Sequence, residues 1–111
     1  VIQEIADKDD CIIVGRCAGY ILRDEPKCVR IYICADKDFR TKRIMASDHL
    51  DEKEAQKKIH SMDKKRDSYF GYYAGQDWKA CHTYDLSIST SSLGIDKAVD
   101  LICQYIDIKF K

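Results

Sequence analysis

Three short apolar runs, separated by stretches with helical periodicity, constrain the fold of this chain most strongly. The runs, at residues 11–15, 29–35 and 86–90, are rich in β-branched side chains and have the length of buried strands. Around them, apolar residues recur at helical spacing. This spacing predicts helices over residues 1–8, 16–23, 36–47, 51–73 and 95–106. Because strands that alternate with helices form right-handed crossovers, the sequence predicts an α/β fold, with three α/β/α layers around a parallel sheet.

Length and charge narrow the classes of function. The 111 residues amount to one domain at most, and 19 basic side chains balance 19 acidic ones, so the formal net charge is zero. No overall field would hold such a chain on nucleic acid or on an anionic membrane, and we expect neither partner. The apolar runs of the chain, such as residues 11–14, are far shorter than the roughly 20 residues of a membrane span. Since the chain opens on Val1 within a helical pattern, we expect it to be part of a longer protein.

Six cysteines raise the question of disulfides or a metal site. They lie at positions 11, 17, 28, 34, 81 and 103, without the paired spacing of a zinc site. Several fall within the apolar patterns, where a reduced thiol behaves as a small core side chain. We therefore predict six reduced thiols, a cytoplasmic location and no metal site. Cys81 and His82, together with His60, are the weaker alternative of a partial metal site.

The side chains that follow the predicted strands are the first candidates for a binding site. In a parallel α/β sheet, ligands bind beyond the carboxyl ends of the strands. Those ends are followed here by residues 15–17, 35–36 and 90–94. Arg16 thus stands at the predicted crevice, and its fork of donors suits a phosphate or a carboxylate. The alternative is that Arg16 pairs with a structural acid such as Asp36.

Three further arginines point to the same crevice. Arg40 and Arg43 share a face of the helix after the second strand, and Arg66 lies on the apolar stripe of the longest helix. The sequence shows no catalytic Cys–His or Ser–His pair. Several arginines at one crevice therefore predict phosphoryl chemistry, in which the protein positions groups and neutralises charge. The alternative is a solvated basic face at residues 53–66, followed by tyrosines within residues 69–73 that pack on the core.

The order of several motifs resembles a known family. A strand that ends in Gly-Arg is followed by a short helix and by an Arg-Asp-Glu-Pro turn at residues 23–26. The sequences Val-Gly-Arg-Cys-Ala at residues 14–18, Met-Asp-Lys-Lys-Arg at residues 62–66 and Tyr-Tyr-Ala-Gly-Gln-Asp-Trp at residues 72–78 are similar to marks of the cytidylate kinase-like family. The resemblance covers nearly the whole chain and implies a P-loop NTPase-like fold.

The resemblance implies roles for residues near the two nucleotides. Arg16 matches the arginine that holds the phosphate of a nucleoside monophosphate, and Cys17 falls where cytidylate kinases keep an Asp beside the substrate. Arg40 matches an arginine that lies against the adenine of ATP, and Arg43 is assigned to the same cofactor site. The loop that borders the adenine is matched by Thr90, Ser91 and Ser92.

The resemblance also implies a helical lid near residues 51–80. Within it, Lys65 and Arg66 match cations that act on the transferring phosphate and are the predicted catalytic residues, whereas Asp67 matches a carboxylate that binds the sugar of the substrate. The implied cofactor is ATP with Mg²⁺, bound mainly by the N-terminal part of the domain, which the 111 residues do not include. The implied partner is a nucleotide or another small phosphate acceptor. A homo-oligomer is compatible with the resemblance.

One motif of P-loop kinases is missing from the chain. Glycines occur at positions 15, 19, 71, 75 and 94, and none belongs to a Gly-x-x-x-x-Gly-Lys-Ser/Thr loop. In the family, that loop and the central first strand precede the segment seen here. The resemblance therefore implies that residues 1–111 are the C-terminal part of a single domain and supply its last three strands with their helices.

These features lead to one main hypothesis and two alternatives. The main hypothesis is an ATP-dependent phosphotransferase of the nucleoside monophosphate kinase type. The first alternative is a non-catalytic nucleotide-binding or assembly module derived from that fold; it is favoured by Cys17 and by Tyr69 or Phe70 in place of a lid arginine. The second is a structural α/β domain whose arginines form surface pairs.

Overall fold

The structure, a computed structural model, describes residues 1–15, 17–74 and 83–111. Along the chain, its elements are α1 (Ile2–Lys8), α2 (Ala18–Ile21), β1 (Ile31–Cys34), α3 (Lys37–Asp48), α4 (Glu52–Ala74), β2 (Leu86–Ser89), α5 (Thr90–Leu93) and α6 (Ile95–Phe110). Apart from α5, a single turn directly after β2, each of these elements lies where the sequence pattern predicts one. The α/β class is confirmed.

β1 and β2 form a parallel pair. Ile31 lies opposite Leu86, and Cys34 lies opposite Ser89. A parallel pair needs a long crossover connection, which α3 and α4 supply here. Because the two strands run in the same direction, their carboxyl ends lie at one edge of the sheet. This is the edge at which the sequence predicts a crevice.

The prediction of a strand at residues 11–15 is wrong for the described part of the chain. The structure has no strand there, and the side chains of Ile12 and Val14 are 94% and 87% exposed. A strand forms when a neighbouring segment completes its backbone hydrogen bonds, and none of the described segments pairs with this one. The described sheet therefore has two strands where three were expected.

Arg30 and Asp85 tie the amino ends of the two strands together. Asp85 Oδ2 accepts hydrogen bonds from the Arg30 backbone N–H at 2.7 Å and from Nε at 3.4 Å, and Oδ1 accepts one from Nη2 at 3.4 Å. In return, the backbone N–H groups of Asp85 and Leu86 donate to the Arg30 carbonyl oxygen at 2.8 and 3.2 Å. Burial raises the pKa of the Asp85 carboxyl, but the hydrogen bonds and charge of Arg30 outweigh burial and lower that pKa below its usual value.

The buried core is small. Gly19 allows α2 to approach Arg30 closely, because a Cβ atom at Gly19 would stand 3.3 Å from the Arg30 Cγ atom. In α6, Ala98 is buried, whereas Val99 and Ile106 on the predicted apolar face stay exposed, since two strands cover only part of that face. Among the described residues, the buried apolar ones are Cys17, Ala18, Leu22, Ala55, Ile88 and Ala98.

Aspartate side chains begin α3 and α4. Asp36 Oδ1 accepts a hydrogen bond from the Phe39 N–H at 2.8 Å at the start of α3. Asp51 Oδ1 accepts one from the Glu54 N–H at 2.8 Å at the start of α4. Such caps satisfy N–H groups that have no partner within the helix. The two helices pack against each other, and Ala55 of α4 is 0% exposed.

The continuous helix predicted over residues 51–73 is confirmed by α4, but its C-terminal half is exposed. Tyr69 and Tyr73 are exposed, Tyr73 by 61%, so the alternative in which these tyrosines pack on the core is wrong. Although α4 has 23 residues, none of the described helices is both long and apolar enough to cross a membrane. Residues 75–80 of the predicted lid lie outside the described residues.

The cysteines generate a first prediction. In the described segments, the thiols of Cys11, Cys17, Cys28, Cys34 and Cys103 are free, and Cys81 lies outside these segments. Alkylation of the full-length protein in denaturant without reductant, followed by peptide mass spectrometry, is expected to modify all six of these cysteines. Modification of four or fewer would overturn the prediction of reduced thiols.

The Arg30–Asp85 pair generates a second prediction. Because the pKa of Asp85 is lowered on folding, the pair stabilises the protein fully above the unfolded pKa of about 3.9, and this contribution is lost as the pH falls through the folded pKa. At neutral pH, Asp85→Asn should lower the free energy of unfolding by about 1–3 kcal/mol. Urea titrations from about pH 6 to pH 3 should show a smaller loss of stability in the variant than in the wild type.

The matched control for this prediction is Asp107→Asn. Asp107 is 3.1 Å from Lys111 in an exposed pair one helical turn apart, and such pairs contribute little. Equal pH dependence of the wild type and Asp85→Asn would contradict the assigned role of Asp85.

Candidate functional site

Polar groups from the two strands meet at the carboxyl edge of the sheet. Thr90 Oγ1 donates a hydrogen bond to the Cys34 carbonyl oxygen at 3.2 Å, and the Asp36 backbone N–H donates to Ser91 Oγ at 3.3 Å. The hydroxyl groups of Ser89 and Ser91 are 2.8 Å apart. The structure therefore brings the predicted loop residues Thr90 and Ser91 directly against the end of β1.

Ser92, the third predicted residue of this loop, faces outward. It is exposed, and its hydroxyl donates to the Ser89 carbonyl oxygen at 3.1 Å. Thr90 is buried. The loop is thus fixed by its own hydroxyl groups, with Ser92 as its accessible member.

Two predicted arginines meet at a carboxylate between α3 and α4. Arg40 Nη2 of α3 donates to Asp63 Oδ1 of α4 at 2.7 Å, and Arg66 Nη1 lies 3.8 Å from the same oxygen. The side chain of Arg66 is 56% exposed, whereas those of Arg40 and Asp63 are half-buried. The structure therefore unites the predicted cofactor-binding arginine with the predicted catalytic arginine.

A basic groove runs beside this cluster, between α3 and α4. Its lining includes four lysine or arginine side chains, one histidine and one carboxylate. Such a surface attracts anions, because the cations face a common space with little compensating charge. Arg40 lines this groove, whereas Arg43 is exposed elsewhere on α3 and is not among the described lining residues. The groove is lined by Lys37, Arg40, Thr41, Lys53, Gln56, Lys57, Ile59, His60 and Asp63.

Lys65 lies on a different side of α4 from Arg66. It lines a shallow groove with Tyr69, Tyr72 and Tyr73. The ring centroids of Tyr69 and Tyr73 are 4.6 Å apart, and those of Tyr72 and Tyr73 are 4.9 Å apart. Consecutive helical residues differ by about 100° around the axis, so Arg66 is directed toward α3 and Lys65 toward the tyrosines. The structure does not bring the two predicted catalytic cations together.

Cys17 is buried next to the predicted crevice. Its side chain is 7% exposed, its φ of 57° is left-handed, and it precedes α2. Burial raises the pKa of the Cys17 thiol, which favours the neutral form. A neutral thiol is a weak hydrogen-bond partner and does not replace the carboxylate that the resemblance leads one to expect.

Asp67 and Arg16 are the remaining predicted site residues. Asp67 is exposed on α4 directly after Arg66. Arg16, and with it the choice between a phosphate ligand and Asp36 as its partner, lies outside the described residues. So do Cys81 and His82, and the described segments hold no cluster of three or more His, Cys, Asp or Glu side chains.

Asp63 is the site residue that sequence reasoning missed. The signal for its proximity to Arg66 was present, because residues three apart on a helix are neighbours. Its bond to Arg40 joins residues 23 positions apart, and the sequence alone does not fix how α3 and α4 pack. The basic groove was not predicted either, because it also depends on how α3 and α4 pack.

Known proteins of similar sequence and structure support the resemblance. The profile of the cytidylate kinase-like family matches residues 1–92. The chain is 31% identical over 105 residues to the cytidylate kinase of Sulfolobus acidocaldarius and 30% identical over 112 residues to that of Pyrobaculum neutrophilum. A solved structure of an uncharacterized protein from Eubacterium ventriosum is similar to this chain with a TM-score of 0.92 and 40% identity.

The extent of these matches differs between this chain and its relatives. The two cytidylate kinases are matched over 95% and 96% of this chain but over only 57% and 60% of their own length. The solved structure is matched over 96% of this chain and 60% of its own chain. The family profile matches residues 1–92, which is more than half of the chain. The chain therefore belongs to the cytidylate kinase-like family.

Proposed function

We propose that the protein containing this chain is an ATP-dependent phosphotransferase of the nucleoside monophosphate kinase type, working in the cytoplasm. The observation that carries the proposal is the meeting of Arg40 and Arg66 at one point between α3 and α4. Two guanidinium groups from different helices at one point suit a ligand with several phosphate oxygens. The names of the relatives, which are cytidylate kinases, favour the same chemistry.

In this proposal, the chain contributes positioning and positive charge. An oxygen of the acceptor phosphate attacks the γ-phosphorus of ATP, and the bond from that phosphorus to the β-phosphate oxygen breaks, so that ADP leaves. Arg66 donates to the transferring phosphate, and Arg40 binds the ATP side of the site. Arg16 holds the acceptor phosphate, and Asp67 binds its sugar. Lys65 contributes positive charge from the tyrosine side of α4.

The edge of the sheet completes the proposed donor site. Thr90, Ser91 and Ser92 border the adenine, and their hydrogen bonds to one another and to the end of β1 keep this loop in one shape. Arg43 extends the cationic face of α3 at the rim of the site. A rigid loop beside a mobile phosphate chain favours correct alignment of the reacting atoms.

Magnesium is a usual partner of ATP, and in the family it would be held mainly by the phosphate-binding loop, which precedes the segment seen here. The described residues bring no group of three carboxylate, imidazole or thiolate ligands together. The Gly-x-x-x-x-Gly-Lys-Ser/Thr loop, whose Ser or Thr would hold the ion, does not occur in the 111 residues.

A non-catalytic nucleotide-binding module is the second candidate. Two observations favour it: the buried Cys17 at the place of a carboxylate, and the exposed aromatic rings of Tyr69, Tyr72 and Tyr73 in the lid. Such a module would bind ATP without turnover. Incubation of the full-length protein with ATP and each of the common nucleoside monophosphates separates the two candidates, because only the kinase forms ADP in step with a nucleoside diphosphate.

The proposed role of Arg66 generates a third prediction. Arg66→Ala in the full-length protein should lower kcat by roughly 10²-fold, or ~3 kcal/mol, since the donor acts chiefly on charge that develops in the transition state. The KM for ATP should change much less. Steady-state kinetics with varied ATP measures both parameters.

The matched control for Arg66→Ala is Lys97→Ala, which removes an exposed cation from the first turn of α6. We expect wild-type turnover for Lys97→Ala. If Arg66→Ala also keeps wild-type turnover while its Tm falls, Arg66 is a structural residue and its proposed role at the transferring phosphate is refuted.

A further inference from the structure

We infer that Asp63 is a placeholder carboxylate: without nucleotide, its Oδ1 atom occupies the position between Arg40 and Arg66 that a phosphate oxygen takes when a nucleotide binds. This inference rests on the proposed function, because it needs a phosphate ligand for the two arginines. Asp63 touches the arginines and makes way for the ligand, so it is a positioning residue. The resemblance to the family assigns it no role.

The first support is the geometry around Asp63. Its Oδ1 atom accepts a hydrogen bond from Arg40 at 2.7 Å and lies 3.8 Å from a guanidinium nitrogen of Arg66. Arg40 belongs to α3 and Arg66 to α4, so this oxygen lies within ion-pair distance of cations from both helices. Carboxylate and phosphate oxygens bind guanidinium groups in the same way. The position of Oδ1 is therefore also a suitable position for a phosphate oxygen.

The second support is the ease with which a ligand could displace Asp63. Arg66 is more than half exposed, and the cluster opens onto the basic groove that includes Lys37, Lys57 and His60. Ion pairs that water reaches are weak, because the solvent competes with both partners. A polyphosphate brings several negative charges and gains contacts with the groove as well. It therefore outcompetes a single carboxylate for the two arginines.

The placeholder has a physical function before the ligand arrives. Two guanidinium groups held at one point repel each other, and a carboxylate between them reduces that repulsion. Arg40 and Arg66 can thus wait in the orientation that the phosphate needs, with less side-chain freedom to lose on binding. The cost of this arrangement is competition, since Asp63 lowers the apparent affinity for any anion.

A second ion pair between the same helices provides a matched control. Asp48, the last residue of α3, accepts a hydrogen bond from Lys58 of α4 and another from Ser47. Like Asp63, it joins α3 to α4. Asp48→Asn removes the same charge and one contact between the helices, and it leaves Arg40 and Arg66 with Asp63.

Binding to the full-length protein without an acceptor tests the inference. Isothermal titration calorimetry would measure the Kd of ATP and, separately, of inorganic tripolyphosphate. We expect Asp63→Asn to tighten the binding of both by roughly threefold to fivefold, as the loss of one weak competitor predicts. Asp48→Asn should leave both Kd values near those of the wild type, and Asp63→Glu, which keeps the charge, should do the same.

The origin of the gain is tested in a second background. In Arg40→Gln, the effect of Asp63→Asn on Kd should fall to less than half, because the main partner of the carboxylate is gone. Asp63→Ser serves as a second neutral variant if Asp63→Asn does not fold, and it should tighten binding in the same direction.

Each other outcome overturns the inference in a recognisable way. Unchanged or weaker binding of both ligands by the neutral variants, with wild-type binding intact, refutes the placeholder and leaves the proposed function standing. Equal tightening by Asp48→Asn assigns the effect to net charge and also refutes it. If neither the wild type nor any variant binds ATP or tripolyphosphate, the proposed function fails together with the inference.

Discussion

The reciprocal contact between Arg30 and Asp85 is the interaction on which the arrangement of the site depends. Backbone and side-chain hydrogen bonds run in both directions between these residues and join the amino ends of β1 and β2. They thereby favour the register that places Cys34 opposite Ser89. A shift of one residue would turn each side chain of a strand to the opposite face of the sheet. The hydrogen bonds of the loop after β2 to the end of β1 follow from this register.

The limited size of the described sheet explains most of the exposed apolar surface. Two short strands bury Ile88 well, yet Ile33 of the adjacent strand remains exposed, as do Val99 and Ile106 of α6. A sheet needs several strands before its faces cover the helices that pack on them. The apolar segment that contains Ile12 was expected to be a further strand. Its exposure has the same cause, which is the small size of the described sheet. The two cytidylate kinases to which this chain is similar are matched over only 57% and 60% of their own length.

The sequence predicted those features that depend on local pattern. Helical spacing located α3, α4 and α6, and β-branched runs located β1 and β2, because periodicity and propensity act within a few residues. The prediction of a strand at residues 11–15 failed because strand formation needs a partner elsewhere in the chain. In the site, Arg40 and Arg66 were identified from spacing and resemblance, but their common partner Asp63 depends on the packing of two helices. Lys65 could have been separated from Arg66 by the rotation between neighbouring helical residues alone.

The long helix α4 has a supported half and an open half, and Arg66 lies where the two meet. Before it, the buried Ala55, the Lys58–Asp48 pair and the Arg40–Asp63 bond all fix α4 to α3. After it come the exposed tyrosines, of which Tyr73 is in ring contact with its neighbours. A side chain at such a boundary has a fixed backbone and a free approach from solvent. These are the properties that a cation needs if it is to be held in place before a charged ligand arrives and still be reached by it.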